Sequence, residues 1–302
     1  MIISDIEKFA NNIKGKIFFD YDIKKLNWFN IGGKTRIFFK PQTLKELIEF
    51  LQIYSNRAKI FVLGAGSNVL FKDDTYQGAI IKLGNNFANI TLLNENTIVA
   101  GCAATQKKLS EFAKEKEISG LEFLSCIPGS VGGGIRMNSG CFNKEFKDVI
   151  ISIQIIDYKG SIKTIPANKI NFKYRNIDLS NEIIFLSATF KGNKKNRSEI
   201  EKYMNKLNDK KEESQPTKTK TGGSTFKNPK EQTDKKVWQL ITDSVPKGLN
   251  FGDAQISEKH ANFFINKKDA KYEDMKRLID YVKSAVKDKT GININLEIVI
   301  VE

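Results

Sequence analysis

Apolar residues alternate along the chain between helical and strand spacing. Ile2, Ile6, Phe9, Ala10 and Ile13 fall at helical intervals and predict an N-terminal helix over residues 2–13. Residues 25–40 turn β-like around Gly32 and Gly33. Thr43 opens a Thr-x-x-Glu capping box with Glu46, and Leu44, Leu47, Ile48 and Leu51 supply the apolar stripe of the helix that follows. Residues 59–63 read as a buried strand, and short β segments follow at 79–83, 88–92 and 97–101. Residues 105–116 are helical, with Leu109, Phe112 and Ala113 on one face. Residues 149–156 and 183–190 are strands dominated by Ile and Val. Ile200, Tyr203, Met204 and Leu207 mark an exposed amphipathic helix over 199–210. A helix follows at about 234–243, then a β hairpin at 250–266. Met275, Leu278, Ile279, Val282 and Val286 define a helix over 272–288, which Gly291 stops before a strand at 292–301.

Two glycine-rich stretches interrupt this pattern. Residues 124–142 carry Gly129, Gly132, Gly133, Gly134 and Gly140 behind a stiffening Pro128. Without a Cβ, main-chain N–H groups can approach a ligand closely and form an anion-binding nest. The same residues would also serve a tight crossing between strands that admits only small side chains. Residues 64–68, Gly-Ala-Gly-Ser-Asn, follow directly on the strand at 59–63. They lack the third glycine of a dinucleotide-binding fingerprint, because Val69 stands there, and no Walker lysine follows. This loop is either a phosphate cradle of neither standard type or a turn.

Composition narrows the classes. The 302 residues include 40% hydrophobic and 28% charged side chains, a globular composition with room for two ordinary domains. No apolar run reaches the ~18 residues of a membrane span. The N-terminal residues lack the basic and apolar pattern of a signal peptide, which predicts a cytoplasmic protein. Lys and Arg number 49 against 35 acidic residues, a balance that suits anionic partners. The lysines form no single patch, however, and scattered composition drift explains them better than a nucleic-acid surface. Cys102, Cys126 and Cys141 have no C-x-x-C spacing, and His260 is the single histidine. A disulfide framework, a zinc site and a histidine-based triad are therefore disfavoured, and no metal is expected. Lys, Asn, Glu and Thr dominate 191–220, which places a domain boundary near 191.

The strings Asn30-Ile31-Gly32-Gly33, Val62-Leu63-Gly64-Ala65-Gly66-Ser67-Asn68-Val69-Leu70 and Gly120-Leu121-Glu122-Phe123 occur in one order with further ones. These are Ile127-Pro128-Gly129-Ser130-Val131-Gly132-Gly133, Met137-Asn138-Ser139-Gly140, Tyr174-Arg175, Gly222-Gly223-Ser224-Thr225-Phe226-Lys227-Asn228-Pro229 and Ser257-Glu258-Lys259-His260-Ala261-Asn262. Together they make the chain resemble the UDP-N-acetylenolpyruvoylglucosamine reductase family across nearly its whole length. It is similar to the shorter class, without an inserted tyrosine-bearing segment.

The resemblance implies an α+β fold: a vanillyl-alcohol-oxidase-like (PCMH-type) FAD-binding domain over 1–190, in two lobes split near 84, and a smaller substrate-binding domain over 191–302. It implies FAD and NADPH as cofactors, UDP-N-acetylenolpyruvoylglucosamine as substrate, UDP-N-acetylmuramate as product, and a monomer serving peptidoglycan precursor synthesis. The FAD cradle falls on Gly64, Ala65, Gly66, Ser67, Asn68, Ile127, Pro128, Gly129, Val131, Gly132, Asn138 and Gly140.

Arg175 corresponds to the group that binds the substrate carboxylate, a role its planar fork suits. Ser224 corresponds to the proton donor, and Glu297 to the catalytic glutamate. Around Glu297 the chain departs from the usual Leu-Glu-x-Glu, since Asn295 stands between Ile294 and Leu296. Tyr174, Lys227, Asn228 and His260 fall at substrate-contact positions, with a structural role for His260 equally open. An oxidase of the same superfamily would share the glycine loops but not Arg175, Ser224 and Glu297 together. A basic nucleic-acid-binding protein is the remote alternative.

Overall fold

The computed structural model describes residues 2–302. The chain divides into two compact units, one of Met1–Phe19, Arg36–Ala65 and Gln77–Lys210, the other of Asp20–Thr35, Gly66–Tyr76 and Lys211–Glu302. Its helices are α1 (Ile2–Ala10), α2 (Leu44–Tyr54), α3 (Gln106–Glu115), α4 (Val131–Arg136), α5 (Arg197–Ser214), α6 (Val237–Ser244) and α7 (Tyr272–Thr290). The expected α+β class holds.

The first unit is built on a four-stranded and a five-stranded sheet. In the four-stranded one the order is Lys16–Asp22, Lys34–Lys40, Tyr76–Ile81, Lys59–Val62, with the last two parallel. Ile6 and Phe9 of α1 and Leu47, Phe50 and Leu51 of α2 bury against Ile37, Phe39, Ala79 and Ile81 of this sheet. The rings of Phe39 and Phe50 stack at 4.4 Å. The five-stranded sheet is antiparallel throughout, in the order Ile162–Pro166, Ile150–Asp157, Ile183–Lys191, Thr97–Gly101, Ile90–Asn94. Its inner residues Ile98, Ala100, Ile153, Ala188 and Phe190 share a core with Leu109 and Ala113 of α3 and Val131 and Ile135 of α4.

The second unit is built on a sheet in the order Lys220–Ser224, Phe263–Asn266, Ala254–Ile256, Asn250–Phe251. Leu240 and Ile241 of α6 and Met275, Leu278 and Val282 of α7 pack with Phe226 and Phe264. Phe29, Ile31 and Leu70 lie fully buried in the same core. Val299–Val301 pairs in parallel with Val69–Phe71.

Several elements differ from the sequence expectation. The strand Lys16–Asp22 has mostly exposed positions and no alternation, so it carries no period-2 signal. Residues 131–136 are helical despite three glycines. The last strand is confined to Val299–Val301, with one further bridge at Leu296. Ile200, Met204 and Leu207 of α5 are buried, so only Tyr203 of that set faces solvent. The expected apolar role of Ile2 in α1 lies outside the residues whose side chains are described. Compactness also divides the chain elsewhere than a single boundary near 191. Leu207 belongs to a core of the first unit, whereas Phe29, Ile31 and Leu70 belong to the second.

Candidate functional site

The glycine stretch of the first unit begins with a 3-10 turn at Glu122–Cys126 and then enters α4, which Ser130 caps by accepting the N–H of Gly133 at 3.2 Å. Both open readings of this stretch apply, at different glycines. A Cβ on Gly134 would lie 2.4 Å from the ring of Phe146, and one on Gly132 would lie 3.1 Å from the Cβ of Cys102. These two glycines are packing requirements. Gly133 is exposed and meets only the Ser130 hydroxyl, so α4 presents a bare backbone surface there. The N–H groups of Val131 and Gly132 are committed to the carbonyls of Ala104 (2.8 Å) and Cys102 (2.9 Å). They are thus not part of a nest. Among the described residues, the N–H groups of Gly129 and Ser130 have no acceptor within the chain, and Gly129 is left-handed (φ 151°).

The two glycine stretches touch. A Cβ on Gly64 would sit 2.4 Å from the Ser130 hydroxyl oxygen, which is why residue 64 tolerates no side chain. The main-chain N–H groups of Gly64, Ala65, Gly66 and Asn68 also lack acceptors among the described residues. Ile127, Gly129 and Gly140 are half-buried and Pro128 is exposed at the same stretch, while Val131 is a core residue.

Asn138 and Arg175 form one cluster of the first unit. Asn138 is fully buried, left-handed (φ 38°), and donates to the carbonyl of Lys173 and to Glu145, each at 3.1 Å. Its side-chain oxygen accepts the N–H of Lys147 at 3.0 Å. Both the nitrogen and the oxygen of its side-chain amide are thus engaged by the protein itself. Tyr174 and Arg175 form the two-residue turn between Phe172–Lys173 and Asn176–Ile177. Arg175 occupies left-handed backbone (φ 54°), a conformation that favours glycine or asparagine. Such strain in a non-glycine residue is found most often at functional sites. Its guanidinium donates to the carbonyl of Gly140 at 3.1 Å, pairs with Glu145 at 3.8 Å, and stands 5.0 Å over the Tyr174 ring. Glu145, absent from the sequence expectation, offers no motif that would have exposed it. At the C-terminal end of α4, Arg136 donates to the carbonyls of Leu179 (3.2 Å) and Ser180 (3.1 Å), and burial lowers its pKa.

In the second unit, Ser224 ends the strand Lys220–Ser224 just after a register shift. Gly223 is left-handed (φ 79°) with open space at its Cβ position, whereas a Cβ on Gly222 would strike the Phe29 ring at 2.3 Å. The chain then runs beside 295–298. The N–H of Lys227 reaches the carbonyl of Asn295, and the N–H of Glu297 reaches the carbonyl of Thr225, both at 2.8 Å. Asn68 donates its amide to the carbonyl of Glu297 at 2.9 Å. The segment after Ser224 is therefore hydrogen-bonded to 295–297, to which the Asn68 side chain is also tied, and Ser67 is half-buried beside Asn68. The side-chain oxygen of Asn228 accepts the N–H of Val237 at 2.9 Å, so it caps the entry to α6.

His260 packs edge-on to Phe263 (4.9 Å) and accepts the N–H of Asn262 on Nδ1 at 3.2 Å. Burial lowers its pKa below the usual 6.5. Asn262 exchanges two bonds with the backbone of Phe226, both at 2.9 Å. His260 is thus tied into the support of the Ser224 segment.

Cys102 and Cys126 are buried and Cys141 half-buried, and burial pushes the Cys102 thiol up. Among the described residues no cluster of His, Cys, Asp and Glu could hold a metal, and no helix is long and apolar enough to cross a membrane. The donor set at Gly64, Ala65, Gly129 and Ser130, beside the bare surface of Gly133, fits a dinucleotide's diphosphate.

Comparison with known proteins agrees with this chemistry. Residues 35–166 match the FAD binding domain profile, and residues 215–301 match the C-terminal domain profile of UDP-N-acetylenolpyruvoylglucosamine reductase. The chain is 57% identical over 302 residues to the UDP-N-acetylenolpyruvoylglucosamine reductase of Pelagibacter ubique (strain HTCC1062), covering all of both chains. It is 41% identical over 286 residues to the reductase of Rickettsia bellii (strain RML369-C), covering 95% of this chain and 94% of that one. The crystal structure of UDP-N-acetylenolpyruvylglucosamine reductase from Thermus caldophilus superposes with a TM-score of 0.81 at 26% identity, over 96% of this chain and 100% of that one.

Proposed function

The chain belongs to the UDP-N-acetylenolpyruvoylglucosamine reductase family and is an FAD-dependent oxidoreductase, and from that premise we propose that it reduces UDP-N-acetylenolpyruvoylglucosamine to UDP-N-acetylmuramate with NADPH. It would do so in the cytoplasm, as a step of peptidoglycan precursor synthesis. We further assign FAD binding to residues of 1–190 and substrate binding mainly to residues of 191–302.

FAD, when bound, supplies the two-electron exchange between a nicotinamide and the enolpyruvyl double bond. The residues of the chain do the rest. The N–H groups of Gly64, Ala65, Gly129 and Ser130 would hold the diphosphate of FAD. Arg175 grips the enolpyruvyl carboxylate, and its fixed positive charge stabilises the negative charge that develops on the carbon bearing that carboxylate. Ser224 delivers the proton to this carbon. A hydroxyl is a weak acid, but a carbanionic acceptor is basic enough to take its proton. Glu297 polarises the carboxylate or shares the proton. Lys227 and Asn228 hold the diphosphate of the UDP-sugar, with Lys227 acting as a point charge. Tyr174 and His260 line the substrate position.

The observation that carries this reading is Arg175 in a strained two-residue turn, with its guanidinium bonded to Gly140 of the glycine stretch. The test is spectroscopic. Purified protein should carry a flavin absorbance that bleaches on anaerobic addition of NADPH and returns on adding UDP-N-acetylenolpyruvoylglucosamine. Return only on admitting oxygen would favour an oxidase instead. Arg175→Ala should slow the substrate-driven return at least ~100-fold while leaving bleaching within a few-fold, because an interaction used on one substrate affects only that substrate's step.

A further inference from the structure

We propose that Glu145 is a positioning residue for Arg175, fixing the guanidinium before substrate arrives. This rests on the reading of Arg175 as the carboxylate-binding group.

Gly140 and Glu145 face each other as a cross-strand pair of the hairpin Gly140–Cys141 and Lys144–Glu145. Arg175 engages both members of that pair, the carbonyl of Gly140 at 3.1 Å and the carboxylate Oε1 of Glu145 at 3.8 Å. These two anchors on one rung, with the Tyr174 ring 5.0 Å from the guanidinium, set the plane of the arginine head group. The other carboxylate oxygen, Oε2, accepts from the Asn138 amide at 3.1 Å and pairs with the Lys147 ammonium at 3.0 Å. The two oxygens are thus divided: one is held by the protein frame and the other faces the arginine. The side chains of Arg175 and Glu145 are 17% and 19% exposed, so solvent screening of the pair is limited.

The same frame reaches Arg175 through its backbone. Asn138, which orients Glu145, also donates to the carbonyl of Lys173, the residue before the turn. The left-handed conformation of Arg175 is therefore braced from Lys173 and its side chain from Glu145, through one fully buried amide. Glu145 also precedes the short turn at Phe146–Asp148, where its N–H donates to the Asp148 carboxylate at 2.9 Å, so a purely structural role is the competing explanation.

A double-mutant cycle separates the two. Holoenzyme variants E145A, E145Q, R175A and E145A/R175A are reduced anaerobically with NADPH and mixed with UDP-N-acetylenolpyruvoylglucosamine, and the return of flavin absorbance is timed. Thermal unfolding and FAD affinity are measured on the same samples. The expected result is that E145A slows the return by about 10- to 100-fold, the size of coupling between contacting residues. E145Q, which keeps an acceptor for Asn138, should slow it less. Reduction by NADPH and FAD affinity should stay within about twofold, and in the R175A background E145A should have no further effect. Multiplication of the two effects would overturn the proposal in favour of a structural role, as would loss of FAD or of cooperative unfolding in E145Q. Normal return in both Glu145 variants with slow return in R175A would overturn the proposal alone. Normal return in R175A would overturn the carboxylate reading and this inference with it.

Discussion

Ser224 follows Gly223, whose left-handed backbone opens on empty space, and Gly222, which lies against the Phe29 ring. One neighbour lets the loop lie close to a ligand while the other pins it. Ser224→Ala should therefore keep the fold, FAD and reduction by NADPH, and lose product formation by ~100-fold or more, as expected when a proton-transfer group is removed. Chromatographic assay of the lactyl product checks this, and normal turnover would remove Ser224 from the proton path. Gly133 and Gly134 give a paired expectation. Gly134→Ala should destabilise the protein by about 1–3 kcal/mol, because its Cβ would enter the Phe146 ring. Gly133→Ala should change stability by no more than about 1 kcal/mol and instead weaken FAD binding in a fluorescence titration. His260 adds a pH dependence. Its folded pKa lies below 6.5, so its contribution to stability is complete above that value and is lost as pH falls through the folded pKa. Chemical denaturation near pH 6 should show a slope that His260→Gln flattens. At this scale the family strings single out Arg175, Ser224 and the glycines as candidates. Glu145 lies outside those strings, and Asn262 stands in one without its hydrogen bonds to Phe226 being readable from it, because bonding across the fold is encoded by no local spacing.

Among the elements, α2 shows how sequence signals succeed. Thr43 accepts the N–H of Glu46 at 3.2 Å, and Glu46 returns the bond to Thr43 at 3.3 Å. Glu46 also accepts the N–H groups of Gln42 and Lys14, at 2.8 and 2.9 Å. Burial alone would raise the Glu46 pKa, but these backbone donors outweigh it and hold the carboxyl below its usual value. Its stabilising effect is thus present above the ordinary glutamate pKa and is lost as pH falls through the lowered one. Thr43→Ala should cost about 1 kcal/mol, measurable as a shift in the denaturation midpoint at neutral pH. Where elements were missed, the periodic signal was missing too. Ile162–Pro166, like Lys16–Asp22, is an edge strand with almost no buried position. The helix α4 is carried by its Ser130 cap and by bonds from Val131 and Gly132 to the loop after Thr97–Gly101, against the low helix propensity of glycine.

For the molecule as a whole, the second unit draws on three separate stretches of chain. Phe29, Ile31 and Leu70 are each fully buried in its core, far in sequence from Lys211–Glu302. A fragment of residues 211–302 produced alone should therefore lack cooperative unfolding and dispersed amide resonances, and a well-folded fragment would contradict the shared core. Composition could not reveal the part played by Phe29, Ile31 and Leu70, since a shift in polarity along the chain does not say which residues share a core. The net charge of +14 likewise says little about the fold, because many lysines stand in local pairs such as Lys195–Glu199 and Lys235–Asp243.

The parallel pairing of Val299–Val301 with Val69–Phe71 has a consequence for biosynthesis. A ribosome releases residues 69–71 long before it reaches 299–301. During that interval the short Val-Leu-Phe strand has an unpaired edge, and Leu70 waits for a core still being translated. Nascent chains stalled ahead of residue 299 should thus be sensitive to protease in this segment and bind general chaperones, and release of the full chain should abolish both.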